Sequence, residues 1–270
     1  MASAEKPVIV IVPGAWHVPA HYAHLALKLN AQGYTVDCLE SSSTNDEKDL
    51  PEDTWKEDVS IIRNAITSHT EAGRDVALVM HSFGGMAGSE AACGLGKKKS
   101  ETSGSVVKLI YLAAFMMKEN ESPVDFDWPR IAVPDDAQVC ENLPLSHYCN
   151  VSRQVSSQNP KALYVPDPVH NLYHDVPDQM SQRAVDNLGG HPIAHAFSRP
   201  SKVAWREIPT AYIICEDDRA LPKGPQEQMI NAVKAEGVNV ETVSLKSSHS
   251  PFLSMPGETA KAIRSFLEKA

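Results

Sequence analysis

The chain has 270 residues, of which 42% are hydrophobic and 22% charged, with a formal net charge of −9. That length admits one large or two small domains, and that balance excludes a disordered, charge-dominated chain. An acidic surface opposes nucleic acid and anionic membranes as partners, and the longest apolar run, Leu109 to Met117, has nine residues against the roughly 20 of a membrane helix.

Apolar runs alternate with amphipathic segments along the chain. Pro7 to Val12, rich in Val and Ile, predicts a buried strand that ends at Pro13-Gly14. Tyr22, Leu25, Ala26 and Leu29 follow at helical spacing, with Gly33 suited to the helix end. Tyr34 to Leu39 predicts a second strand. Thr54-Trp-Lys-Glu57 has the pattern of a capping box, and Trp55, Val59, Ile62 and Ile66 continue it as a helix. Val76 to Met80 predicts a third strand, Gly84 to Leu95 a helix of small residues, and Val106 to Phe115 a fourth strand. Eleven prolines, Pro209 included, then fall from Met117 to Pro209 and sustained periodicity stops. It resumes with the strand Thr210 to Cys215, a helix around Met229, Ile230 and Val233, the strand Val238 to Leu245, and a helix bearing Ala260, Ile263, Phe266 and Leu267. Strands alternating with helices predict an α/β fold, a mostly parallel sheet with helices on both faces, interrupted by one insertion.

The cysteines, Cys38, Cys93, Cys140, Cys149 and Cys215, are scattered and form no CxxC pair, so no thiol-ligated metal and no disulfide framework are expected. The polar opening Met1 to Lys6 has no signal-peptide core. The expected compartment is therefore the cytoplasm, and the glycosylation sequons at Asn120 and Asn150 are read as chance matches.

Met80-His81-Ser82-Phe83-Gly84-Gly85 lies where a strand meets a helix of small residues. A nucleophile elbow needs this context, because strand and helix close tightly around a serine in a strained turn. Met80 departs from the G-x-S-x-G pattern at its first glycine and must find room beside the sheet. A serine nucleophile needs a base and a group that orients the base. His249 follows the last strand and precedes the last helix, where a base loop belongs. His81 is expected to be structural, and the histidines His147, His170, His174, His191 and His195 lack metal-ligand spacing. The orienting acid is sought after the strand Thr210 to Cys215, with Asp218 preferred, Asp217 second and Glu216 last. After the first strand, Gly14 lets the backbone approach a substrate closely, so an amide from Ala15 or Trp16 can converge with that of Phe83 on one oxygen.

Together Pro13-Gly-Ala-Trp16, His81-Ser-Phe-Gly-Gly85, Val107-Lys-Leu-Ile-Tyr-Leu-Ala-Ala-Phe115, Tyr173-His-Asp-Val176, Trp205-Arg-Glu-Ile-Pro-Thr-Ala-Tyr212, Asp218-Arg-Ala-Leu-Pro222 and His249 resemble the α/β-hydrolase superfamily. Within it they are similar to the cofactor-free branch of plant methylesterases, hydroxynitrile lyases and related microbial esterases, the Met-His-Ser elbow resembling fungal members. The resemblance implies a Ser82–His249–Asp218 triad, oxyanion amides at Ala15 and Phe83, a core of residues 1–117 and 202–270, and a cap of residues 118–201. It implies no cofactor and no metal. The chain departs from the family at Pro13, where a histidine is usual. Ser250 and Gly14 replace the lysine and threonine of the lyases, which disfavours cyanohydrin cleavage.

The expected chemistry is hydrolysis of an apolar ester, lactone or thioester through an acyl-enzyme, with a carrier-bound thioester among the possible donors. Expected substrate contacts are Gly14, Trp16, Met116, Trp128 and Tyr173, with Met117, Phe126, Tyr148, Tyr164, Leu172 and Phe197 as further pocket walls. Two alternatives use the same residues: acyl transfer with C–C bond formation or cleavage in fungal biosynthesis, and a ligand-binding receptor with slow or absent turnover. A monomer or homodimer acting on a small molecule is expected, with neither nucleic acid nor membrane as partner.

Overall fold

The computed structural model describes residues 5–44, 54–97, 104–125 and 162–268. Within them six strands, β1 (Val8–Val12), β2 (Val36–Cys38), β3 (Val76–His81), β4 (Val106–Leu112), β5 (Thr210–Cys215) and β6 (Val240–Leu245), form one sheet. All five pairings are parallel, in the order β2-β1-β3-β4-β5-β6. Every residue of β1, β3 and β5 is buried, as expected of strands covered on both faces, whereas the edge strand β6 is buried only at its ends, Val240 and Leu245.

The two-residue period of the strands divides the core into two layers. Val8, Val10, Val12, Leu78, Met80, Leu109 and Tyr212 pack with α2 (Trp55–Glu71), α3 (Gly84–Ala92) and α6 (Lys223–Ala235) on one face. Ile9, Ile11, Val79, Ile110, Ala211 and Ile213 pack with α1 (Ala23–Asn30) and α8 (Pro256–Leu267) on the other. Between β4 and β5 lie α4 (Pro168–Leu172) and α5 (Asp178–Asp186), and Leu172, Tyr173, Val176 and Ala184 of this stretch enter the second layer. The short α7 (Pro251–Ser254) precedes α8. Among the described residues, no helix is long and apolar enough to cross a membrane.

Three expectations are corrected in detail. The fourth strand stops at Leu112 rather than Phe115, because Ala113 takes a left-handed φ of 44° and turns the chain so that the Phe115 amide donates to the Ser82 carbonyl at 3.0 Å. The last strand begins at Val240 rather than Val238, after Gly237 turns with φ 84°. Thr54 makes no capping box. Its hydroxyl is hydrogen-bonded at 3.0 Å to Nε2 of His195, so a tertiary partner replaces the local one that the sequence pattern suggested.

Parallel strands deliver all their C-terminal ends to one edge of the sheet. The chain order reverses direction between β1 and β3, and the helices that follow these two strands, α1 and α3, pack on opposite faces of the sheet. Ser82 follows β3 directly and Gly14 follows β1 by two residues.

Candidate active site

Ser82 holds φ at 49°, a conformation side chains rarely adopt, and its neighbours lack the bulk that would oppose it. A Cβ on Gly84 would lie 2.5 Å from the Pro13 carbonyl oxygen, and one on Gly85 would lie 2.6 Å from that of Phe115. Gly14 approaches so closely that its Cβ would stand 2.7 Å from Cβ of Ser82. Trp16 (φ 64°), Ser82 and Ala113 are three of the five non-glycine residues with positive φ among the described residues, and all three lie just beyond the ends of β1, β3 and β4. Backbone strain is thus concentrated along the edge of the sheet that carries the site.

Met80 finds its room against Gly88, one turn into α3. A Cβ on Gly88 would fall 2.6 Å from Met80 Sδ and 2.8 Å from its Cγ. The glycine missing from the elbow pattern on the strand is compensated by a glycine on the facing helix.

His249 and Asp218 come together from the loops after β6 and β5. Nδ1 of His249 donates to Oδ2 of Asp218 at 2.7 Å, with both side chains buried. The other carboxylate oxygen accepts the amides of Ala220 and Leu221, each at 2.8 Å. Gln226 of α6 is fully buried behind this loop, donating to the carbonyls of Cys215 at 3.0 Å and Leu221 at 2.7 Å. The two other acids of this segment stand apart: Asp217 is exposed, and Glu216 pairs with Lys223 at 2.8 Å. On the base side, Asp175 accepts the Ser248 amide at 2.9 Å and the Ser248 hydroxyl donates to the Leu172 carbonyl at 3.1 Å. The stretch between β4 and β5 therefore anchors the loop that carries His249.

His81 links these parts. Its Nε2 donates to the His249 carbonyl oxygen at 3.0 Å, so its Nδ1 is the acceptor for the Tyr22 hydroxyl at 2.8 Å. The Tyr22 oxygen in turn accepts the Gly14 amide at 3.1 Å. This relay joins the loops after β1, β3 and β6 in one directed chain. A parallel contact fixes the next loop residue, since His17 Nδ1 donates to the Ala15 carbonyl at 2.7 Å and its Nε2 accepts the Tyr173 hydroxyl at 3.0 Å. Burial, reinforced by neighbouring histidines, holds His81 and His17 well below the usual imidazole range, so both are neutral. Ser82 and His249 make no hydrogen bond to each other among the described residues. A nucleophile–base contact of this kind tightens when the substrate is bound.

No acceptor takes the amide hydrogens of Ala15 or Phe83 among the described residues, which leaves two donors unspent beside Ser82. The Phe83 ring is surrounded by Trp55, Phe115, His191 and His195, with centroids 6.0, 6.5, 4.8 and 5.2 Å away. Of the expected substrate contacts, Trp16 is half-buried and donates its indole N–H to the Leu163 carbonyl at 2.9 Å. Met116 is buried in the core layer that includes Met229, and Tyr173 is fully buried with its hydroxyl on His17. Trp128 lies outside the described residues, as do Phe126 and Tyr148. Sequence reading missed the roles of Tyr22, His17, Asp175 and Gln226: the first three have partners 59, 156 and 73 residues away, and Gln226 pairs with carbonyls 5 and 11 residues before it. Among the described residues, no group of three or more His, Cys, Asp or Glu side chains could hold a metal ion.

A parallel sheet of this order, with a serine in a strained turn after its third strand and a buried acid–histidine pair after the last two, defines a hydrolase-type α/β scaffold. The chain belongs to the alpha/beta hydrolase family, whose model matches residues 9–262. It is 33% identical over 261 residues to the alpha/beta hydrolase nvfD of Aspergillus novofumigatus, covering 96% of each chain. Among solved structures it is similar to a pyrethroid hydrolase from Sphingobium faniae (TM-score 0.64, 21% identity, 97% of this chain and 98% of that one). It is likewise similar to a methylesterase from Arabidopsis (TM-score 0.67, 19% identity, 96% and 98%). The protein is an α/β hydrolase.

Proposed function

We propose that this α/β hydrolase cleaves an apolar or aromatic carboxylic ester, lactone or thioester, with Ser82 as nucleophile, His249 as base and Asp218 as the orienting acid. The observation that carries this reading is the buried 2.7 Å hydrogen bond from His249 to Asp218, set beside a serine held at φ 49°. That bond holds the proton on Nδ1 and leaves Nε2 free to accept the Ser82 hydroxyl proton. Ser82 Oγ then adds to the substrate carbonyl carbon, and the resulting oxyanion takes the unspent amides of Ala15 and Phe83. The tetrahedral intermediate collapses with cleavage of the bond to the leaving group, which takes the proton from His249. Water, deprotonated by the same histidine, adds to the acyl-enzyme; the acid is released and the proton returns to Ser82. We assign the cap role to residues 118–201, of which 126–161 lie outside the described residues. The aromatic shell around Phe83 favours apolar and aromatic acyl groups.

Intact-mass labelling with a fluorophosphonate tests the proposal on wild type, Ser82→Ala and His249→Ala. One adduct on wild type and none on either variant is expected. A folded wild-type protein that takes no adduct would refute an activated Ser82.

A further inference from the structure

His191 is a buried side chain that the chemistry above does not use. It is 1% exposed, and neither ring nitrogen has a hydrogen-bond partner among the described residues. Its ring packs at 4.8 Å on Phe83, 5.8 Å on Trp16 and 4.9 Å on His195, between the aromatic side chains that flank the two unspent amides. The backbone around it is pinned. The His191 carbonyl accepts the Leu163 amide at 2.7 Å, Pro192 bridges Ala162, and the Gly189 amide donates to the Trp16 carbonyl at 2.9 Å. His195 differs, because its Nε2 is paired with Thr54.

A position of purely structural purpose in this aromatic nest would be met by phenylalanine, which carries no polar atom to strand. An imidazole there offers one donor and one acceptor, both without a partner among the described residues, and a ligand that pairs them recovers what burial forfeits. Burial, with His195 nearby, keeps the ring neutral, so it suits a neutral oxygen function rather than an anion.

We propose that His191 is a substrate-recognition residue that hydrogen-bonds a hydroxyl or oxo group carried close to the reacting carbonyl, so that the substrate is an oxygenated ester or thioester rather than a plain alkyl or aryl one. This rests on the Ser82 reading and narrows its substrate class. A site built to pair a substrate oxygen rejects the analogue lacking it far more strongly than an apolar pocket distinguishes sizes.

The test uses two matched pairs, p-nitrophenyl 3-hydroxybutyrate against p-nitrophenyl butyrate and 2-hydroxyethyl butyrate against ethyl butyrate. Wild type should prefer the oxygenated member of one pair by about 10–100-fold in kcat/KM. His191→Phe should abolish that preference, bringing kcat/KM for the oxygenated ester down to that of its plain partner. His191→Gln, which retains a donor and an acceptor, should restore part of the preference and decides the matter if the phenylalanine variant fails to fold. A wild-type ratio unchanged in both variants, or no preference in wild type, overturns the proposal. If Ser82 takes no label and no ester is cleaved, the hydrolytic reading fails alone. Calorimetric binding of methyl 3-hydroxybutyrate against methyl butyrate then decides for His191, with tighter wild-type binding of the hydroxy ester lost in His191→Phe supporting it and equal affinities refuting it.

Discussion

Replacing Gly88 by alanine probes whether Met80 takes its space from the facing helix. The new Cβ would meet Met80 Sδ at 2.6 Å and Cγ at 2.8 Å, and Met80 has no exposed surface to retreat into. Overpacking of this kind costs about 1–3 kcal/mol, while the better helix propensity of alanine returns about 1 kcal/mol, so Gly88→Ala alone should lose about 0–2 kcal/mol. Met80→Ala should lose about 2–5 kcal/mol through the cavity it leaves. In that background the methyl group added by Gly88→Ala fills part of the cavity, and the change should become stabilising by about 1–2 kcal/mol through added burial and propensity. The two changes should therefore couple favourably by about 1–4 kcal/mol in a double-mutant cycle read from urea unfolding. Additivity within about 0.5 kcal/mol would refute the complementarity of strand methionine and helix glycine.

Other outcomes follow from the polar relay and the buried histidines. Tyr22→Phe strands the Gly14 amide and His81 Nδ1, and should lose about 1–3 kcal/mol in urea unfolding, with ester turnover falling through kcat rather than KM. An unchanged kcat would show that the relay does not hold the oxyanion loop. Asp218→Asn should slow ester turnover by about 10³–10⁴-fold while the fold persists, measured with p-nitrophenyl esters; a loss under about tenfold would remove Asp218 from its role. His17, His81 and His191 have pKa values pushed well below 6.5 in the folded protein, so below that pH the unfolded chain binds protons that the folded chain refuses. Stability present above pH 6.5 is lost as pH falls, by about 1 kcal/mol for each histidine over the first unit. A urea midpoint that does not move between about pH 7.5 and 5.5 would contradict burial as the cause.

Periodicity within a dozen residues was enough to reveal the strands, the helices and the elbow at Ser82, because strand alternation and helical spacing are properties of neighbouring residues. The position of His249 after the last strand was legible for the same reason. Glu216, Asp217 and Asp218 could be ranked but not separated by sequence. The turn that buries Asp218 on the amides of Ala220 and Leu221, and against His249, distinguishes it from exposed Asp217 and paired Glu216. Thr54 was misread as a local cap because its partner is 141 residues away. The relay from Gly14 through Tyr22 and His81 to His249, the seat of Met80 on Gly88, and the unpaired imidazole of His191 were likewise invisible. Each depends on groups from different elements meeting in a desolvated interior, where an unpaired polar atom is costly and every methyl group needs a space. Patterns among neighbouring residues were enough to locate the elements and the serine at the strand–helix junction. Which acid meets the histidine, what braces the loops around it, and which side chain keeps its hydrogen bonds to give emerged from packing between distant segments.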